Sequence, residues 1–146
     1  NIDLCWAVIT NAYGAGEFSP RFVNTTIRKI IAGEPLQFTA ATQNYDFIYI
    51  DDVAKAFVAI GEYGKANKEY TIGSGNARPL KEFIIEMQQS LAPDAKPIFG
   101  DVPFTGVNMP LEAFDTTDIQ TDCHFKPSIS FAEGTKMTMD WIKTVN

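Results

Sequence analysis

The sequence runs to 146 residues, 45% hydrophobic and 21% charged, an ordinary composition for a globular chain with one real core. A net charge of −6 and a pI near 4.7 argue against nucleic acid or an anionic membrane as partner. No run approaches the roughly eighteen apolar residues of a bilayer span, and no basic-then-apolar leader opens the chain, so a cytoplasmic setting is expected.

Taken in order, Ile2 to Thr10 is apolar and reads as a buried strand entering a polar, glycine-containing loop from Asn11 to Glu17. Phe22, Val23, Thr26, Ile27, Ile30 and Ile31 then recur at helical spacing. Ser19 is the expected N-cap, Pro20 the first helical residue and Gly33 the stop. Leu36 to Thr39 is a short extended piece. Tyr45 to Ile50 reads as a strand apolar on both faces apart from Asp46, as a covered sheet requires. Asp51 or Asp52 is expected to cap the next helix, whose Val53, Ala56, Phe57 and Ile60 form one stripe.

Glu69 to Ile72 is a further strand, closed by the turn Gly73-Ser74-Gly75-Asn76. Pro79 opens a helix with Leu80, Phe83, Ile84, Met87 and Leu91 inward, and Lys96 to Phe99 reads as a last short strand. Gly100 to Pro110 is loop-like, and Asp115 is placed to cap a short helix through Asp122. Ser130 and Glu133 have capping-box spacing at the head of the final helix, with Phe131, Gly134, Thr138, Trp141 and Ile142 on roughly one face. The pattern is mixed α/β, without a linker that would divide it.

No catalytic set stands out by itself. Cys5 and Cys123 are far apart. His124, the single histidine, beside Cys123, gives too few ligands for a zinc site, so no metal is expected. Asp51, Asp52 and Glu17 are the conspicuous carboxylates, but acid/base work needs such groups converging on one substrate atom. The Gly73–Gly75 turn has neither a third glycine nor a following Lys-Ser/Thr, so an ordinary tight turn is expected rather than a phosphate cradle. Phe22, Phe38 and Tyr45 lie near element ends, where ligand sites of α/β folds collect; they read as core or as surfaces for a base or sugar ring, equally so for Phe38 and Tyr45.

The order of four segments is more informative. Asn11-Ala12-Tyr13-Gly14-Ala15-Gly16-Glu17 resembles the Asn-x-Tyr-Gly-Pro loop of the extended short-chain dehydrogenases/reductases, the NAD-dependent sugar-nucleotide epimerase/dehydratase family. Tyr45-Asp46-Phe47-Ile48-Tyr49-Ile50-Asp51-Asp52-Val53-Ala54 resembles that family's Arg-Asp-Phe signature. Glu69 to Gly75 with Leu80-Lys81-Glu82-Phe83, and Phe125 to Gly134, resemble its later segments. The resemblance is collinear over nearly the whole chain.

It implies an α/β fold, the C-terminal portion of a Rossmann-type extended dehydrogenase/reductase, with a small mixed sheet and flanking helices. It also implies one substrate-binding region over 1–146, lying just after the catalytic helix. The glycine-rich dinucleotide loop and the Tyr-x-x-x-Lys of the family lie upstream of its first segment, so no catalytic residue is expected here. The whole parent enzyme would be an NAD- or NADP-dependent oxidoreductase-type epimerase, dehydratase or reductase, and this stretch alone would be inactive.

Position by position, the resemblance implies that Ile9 and Thr10 approach the nicotinamide of NAD or NADP and that Asn11 reaches the substrate. Phe22 and Val23 would pack near the nucleotide, and Leu36, Gln37 and Phe38 would flank its base. Tyr45 stands where the family has a pyrophosphate-binding arginine, and no second basic residue occurs from Gly100 to Asn108. Arginine is hard to replace there. Either Arg21, Arg28 or Arg78 substitutes, or the substrate is not a typical nucleotide-sugar. A non-catalytic nucleotide- or sugar-binding module is the competing expectation. A homo-oligomer is also expected, through an exposed sheet edge.

Overall fold

The computed structural model describes residues 2–145. Its sheet structure consists of four two-stranded pairs, three parallel and one antiparallel. β1 (Cys5–Ile9) runs parallel to β6 (Lys68–Ile72), and β2 (Asn11–Tyr13) runs parallel to β5 (Phe47–Tyr49). β3 (Gln37–Phe38) pairs with β8 (Ile98–Phe99), and β4 (Asn44–Tyr45) lies antiparallel to β7 (Arg78–Pro79). Among the described residues five α-helices accompany them: α1 (Phe22–Ala32), α2 (Ile50–Tyr63), α3 (Leu80–Leu91), α4 (Thr117–Cys123) and α5 (Phe131–Val145).

The β2–β5 pair is a wall between two cores. Successive strand side chains point to opposite faces. Phe47 and Tyr49 accordingly join Tyr13 in a core with α1, α3 and α5, whereas Ile48 joins Val53, Ala56, Ile60, Tyr70 and Ile72 in a second core. All three β5 residues are buried, which is why that segment reads as apolar on both faces. Phe47 is the aromatic hub of the first core. Its ring lies 5.0 Å from Phe83, 5.5 Å from Tyr45, 5.6 Å from Phe131 and 5.9 Å from Phe22.

Several sequence expectations need correction. The expected strand from Tyr45 to Ile50 is broken at Asp46, which is fully buried. Its carboxylate accepts the backbone N–H of Ser74 at 2.8 Å and the Ser74 hydroxyl, fastening the break to the turn after β6. Neither Asp51 nor Asp52 caps α2, whose N-cap is Tyr49 without a side-chain bond. Asp52 instead reaches across the chain. It accepts the N–H of Ser128 at 3.0 Å, the N–H of Ile129 at 2.9 Å and the Ser128 hydroxyl at 3.0 Å.

β1 is half exposed rather than buried. α2 covers the face that carries Cys5 and Ala7, but nothing described covers Leu4, Trp6 and Val8 on the other, and Trp6 is 63% exposed. Asn11 to Tyr13 is a strand, not a loop. Helix α1 starts at Phe22, with Arg21 rather than Ser19 at its N-cap. Phe57 of the expected α2 stripe faces out at 48% exposure.

Other local signals hold. Gly33 closes α1 in the left-handed region (φ 68°), where the N–H of Glu34 reaches the Lys29 carbonyl and its own N–H that of Ile30. The Ser130–Glu133 capping box forms reciprocally, at 3.2 and 2.9 Å.

Candidate substrate cleft

A cavity of about 180 Å³ opens between the end of β2, the start of α1 and β4. Of the residues singled out from sequence, Asn11, Arg21, Phe22, Val23 and Tyr45 line it together. Each is placed by a different local cause. Asn11 heads β2, and its amide nitrogen donates to the Asp46 carbonyl at 3.1 Å, so the break in the β4–β5 segment orients it. Tyr45 lies flat against Phe47, with ring planes 8° apart. Phe22 also stacks on the hub, and Val23 is buried on the inner face of α1.

Leu36, Gln37 and Phe38 are not in this cleft. They line an adjoining cavity of about 200 Å³, and Phe22 borders both. Phe38 packs on Phe22 (6.0 Å) and Phe99 (5.9 Å). Phe22, Phe38 and Tyr45 are therefore partly buried rims of the core, which serves both alternatives left open by sequence. Ile9 is 39% exposed at the carboxyl end of β1, and the N–H of Thr10 donates to the Ile72 carbonyl at 3.0 Å. Neither lines the cleft.

The three arginines have separate positions. Arg28 donates from Nε to the Asn24 side chain at 2.8 Å. Arg78 is paired with Glu86 and stacked over Phe83 at 4.1 Å, beside a different cavity of about 340 Å³. Only Arg21 lines the cleft, and it is exposed there.

Seven lining residues were given no cleft role from sequence: Ala12, Tyr13, Gly14, Glu17, Asn24, Phe47 and Thr138, of which Glu17 stood out only as a carboxylate. Asn24 carried a legible signal, a polar residue one helical turn from Ile27 on the inner face of α1. It is buried and donates its amide to the backbone carbonyl of Glu17, pinning the loop that carries Glu17 and Arg21. Tyr13 is buried against Tyr49 and Phe131, and burial pushes its phenol far above the ordinary range, so it remains neutral. Burial likewise raises the Asp46 carboxyl, with the Ser74 bonds pulling it back. The cleft thus presents one cation, one carboxylate, two amides and aromatic faces. Such a set orients a small polar ligand; it contains no nucleophile–base pair.

The arrangement is a mixed α/β one with short parallel strand pairs and flanking helices, and comparison with known proteins gives its family. The model of the NAD dependent epimerase/dehydratase family matches residues 1–73, half of the chain. The chain belongs to that family. It is 23% identical over 144 residues to a dTDP-glucose 4,6-dehydratase of Xanthomonas campestris pv. campestris, a match covering 92% of this chain and 41% of the relative.

Among solved structures, the UDP-glucose 4-epimerase of Thermotoga maritima with UDP-glucose superposes with a TM-score of 0.83 at 20% identity, over 99% of this chain and 47% of that one. The UDP-glucuronic acid 4-epimerase of Bacillus cereus in complex with NAD gives 0.78 at 21% identity, over 99% and 46%. These structural likenesses establish the fold, a portion of a Rossmann-type extended short-chain dehydrogenase/reductase. The chain spans less than half the length of the relatives it matches. No helix among the described residues is long and apolar enough to cross a membrane.

Proposed function

We propose that the cleft holds the sugar-nucleotide or related substrate of an NAD- or NADP-dependent epimerase, dehydratase or reductase of the cytoplasm. In this reading, residues 1–146 are one substrate-binding region, and the dinucleotide-binding and proton-transferring groups come from other sequence. The observation that carries it is the convergence of Asn11, Arg21, Phe22, Val23 and Tyr45, residues spread over 35 positions, on one concave surface. Phe22 continues that surface toward Leu36, Gln37 and Phe38, which gives a second compartment for a planar base.

The residues present fit only one edge of the dinucleotide. Ile9 offers an exposed apolar side chain at the carboxyl end of a parallel strand, where ligands of open α/β sheets bind. Thr10 follows it. No glycine-rich phosphate turn lies in the sequence, so this chain would touch the nicotinamide end alone. When bound, NAD(P) supplies reversible hydride acceptance. The chain's own contribution is to hold the sugar in a fixed orientation, the entropic part of catalysis.

The second reading is a binding module without catalysis. It is favoured by Tyr45 at the signature arginine position and by the absence of any cation between Gly100 and Asn108. Titration of the isotope-labelled chain with UDP-glucose, followed by NMR, tests the shared premise. Amide shifts should concentrate at Asn11, Phe22, Gln37 and Tyr45, and Arg21→Gln should weaken binding about tenfold, as expected for loss of a charge-assisted contact to phosphate. Shifts centred elsewhere would remove the cleft from consideration.

A further inference from the structure

Between Ile9 and Asn11 the chain changes partner. β1 runs beside β6 as far as Ile9 opposite Ile72, whereas β2 starts beside β5 with Asn11 opposite Phe47. The N–H of Thr10 still donates to the Ile72 carbonyl, so the fork opens just after it. A fork leaves backbone groups without ladder partners, and buried ones must find others. Asp46 fills this fork. It directly precedes β5 and is fully buried, and its carboxylate accepts the N–H and the hydroxyl of Ser74, just past the end of β6. Its own carbonyl accepts the Asn11 side-chain amide at 3.1 Å. The fork is closely filled. A β-carbon on Gly73 would overlap the Asp46 carboxylate and lie 3.0 Å from Thr10 Cγ2 and 3.1 Å from Thr116 Cγ2, so only glycine fits there.

We propose that Asp46 is a positioning residue, a strut that sets Asn11 in the cleft at a fixed separation from Ile9 and Thr10 on the other branch of the fork. The carboxylate ties the segment before β5 to the β6 branch with two charge-assisted bonds. The carbonyl then holds the Asn11 nitrogen, which leaves the Asn11 side-chain oxygen to accept from a ligand hydroxyl. Hydride transfer between a sugar carbon and a nicotinamide demands that the two be held at a fixed distance, and the strut joins the branches that would carry them. This rests on the cleft being the substrate site and on Ile9 and Thr10 bordering the nicotinamide.

The test is a double-mutant cycle on the chain, read in two ways. In the ligand-free chain, NMR follows proton exchange of the Asn11 side-chain amide. It should be protected at least about tenfold relative to an exposed asparagine, and Asp46→Ala should remove the protection. In titrations with UDP-glucose, Asp46→Ala and Asn11→Ala should each weaken binding about tenfold. Together they should still cost about tenfold rather than about a hundredfold, because the first acts through the second. Asp46→Asn, which keeps an acceptor for the Ser74 N–H, should restore affinity to within about threefold of the parent. If Asp46→Ala fails to fold, Ser74→Ala deletes only the hydroxyl bond and should give the same pattern at about threefold. Losses that multiply, or an Asn11 amide unaltered in the variants, overturn the positioning role. UDP-glucose shifts outside the cleft overturn the substrate reading, whereas an Asn11 amide that loses protection in the variants still upholds the strut.

Discussion

Gly134→Ala separates what helix propensity predicts from what packing dictates. Gly134 lies in the first turns of α5, where alanine should stabilise a helix by up to about 1 kcal/mol. The structure predicts the opposite sign. A β-carbon at 134 would overlap the Tyr13 hydroxyl and come within 2.9 Å of both Tyr13 Cζ and Tyr49 Cδ2. Those rings are buried, 5.6 Å apart between centroids, and Tyr13 is wedged against Phe131 and Phe47, so neither can swing aside freely.

Overpacking costs about 1–3 kcal/mol, and an overlap with a buried ring atom lies in the upper part, about 2–3 kcal/mol; subtracting a propensity gain of about 1 kcal/mol leaves a net loss of about 1–2 kcal/mol. For a chain of this length that lowers Tm by roughly 3–6 °C. Urea unfolding followed by tyrosine fluorescence measures it. Adding Tyr13→Phe removes the nearest atom and gives up only a long bond to the Phe131 carbonyl at 3.4 Å, so the pair should recover about half of the loss. A Gly134→Ala variant more stable than the parent would show that α5 does not press on Tyr13 as described, and with it the inner wall of the cleft would be wrong.

Asp52→Ala should cost about 3 kcal/mol in urea unfolding, because three donors of Ser128 and Ile129 lose a buried carboxylate; a loss below 1 kcal/mol would show that the segment is held by other means. Asp122 carries the main acid dependence. Lys65 and then Lys68, each donating at 2.7 Å, hold its carboxyl well below the ordinary value of 3.8. Its folded pKa is depressed, so its contribution is complete above about pH 4 and is lost as pH falls through the folded value. Asp115 and Glu133, lowered by their bonds to Thr117 and Ser130, act in the same direction, while buried Asp46 acts in the opposite one. Asp122→Asn should therefore flatten the acid limb of a stability–pH curve, and an unchanged limb would contradict the assignment. The uncovered Leu4, Trp6 and Val8 stripe should drive self-association, with Trp6→Lys reducing the sedimentation-derived mass toward that of one chain.

Elements with strong local signals were legible in the sequence. Gly33, the Ser130–Glu133 pair and the inner stripe of α3 each express their structure through nearest neighbours along the chain. What was not legible depends on residues far apart. Asp46 interrupts a strand because Ser74, 28 positions on, supplies its partners, and Asp52 forgoes a cap for Ser128 and Ile129. The exposure of β1 follows from what lies against its second face, which periodicity within the strand does not encode. Five of the site residues met in one cleft because the collinear motifs preserve their spatial order. Tyr13, Asn24 and Thr138 were not legible as cleft residues, and Glu17 was legible only as a carboxylate, because their convergence is set by a pinned loop and a helix over a hundred residues away.

The most direct test of the account is the coding sequence immediately upstream of Asn1 in the native gene. The account predicts a glycine-rich βα turn near its start and a Tyr-x-x-x-Lys roughly twenty to thirty residues before Asn1, one helix and a connection away. A reading frame that opens near Asn1, or an upstream region lacking that tyrosine and lysine, would contradict the enzyme reading and leave the binding module in its place.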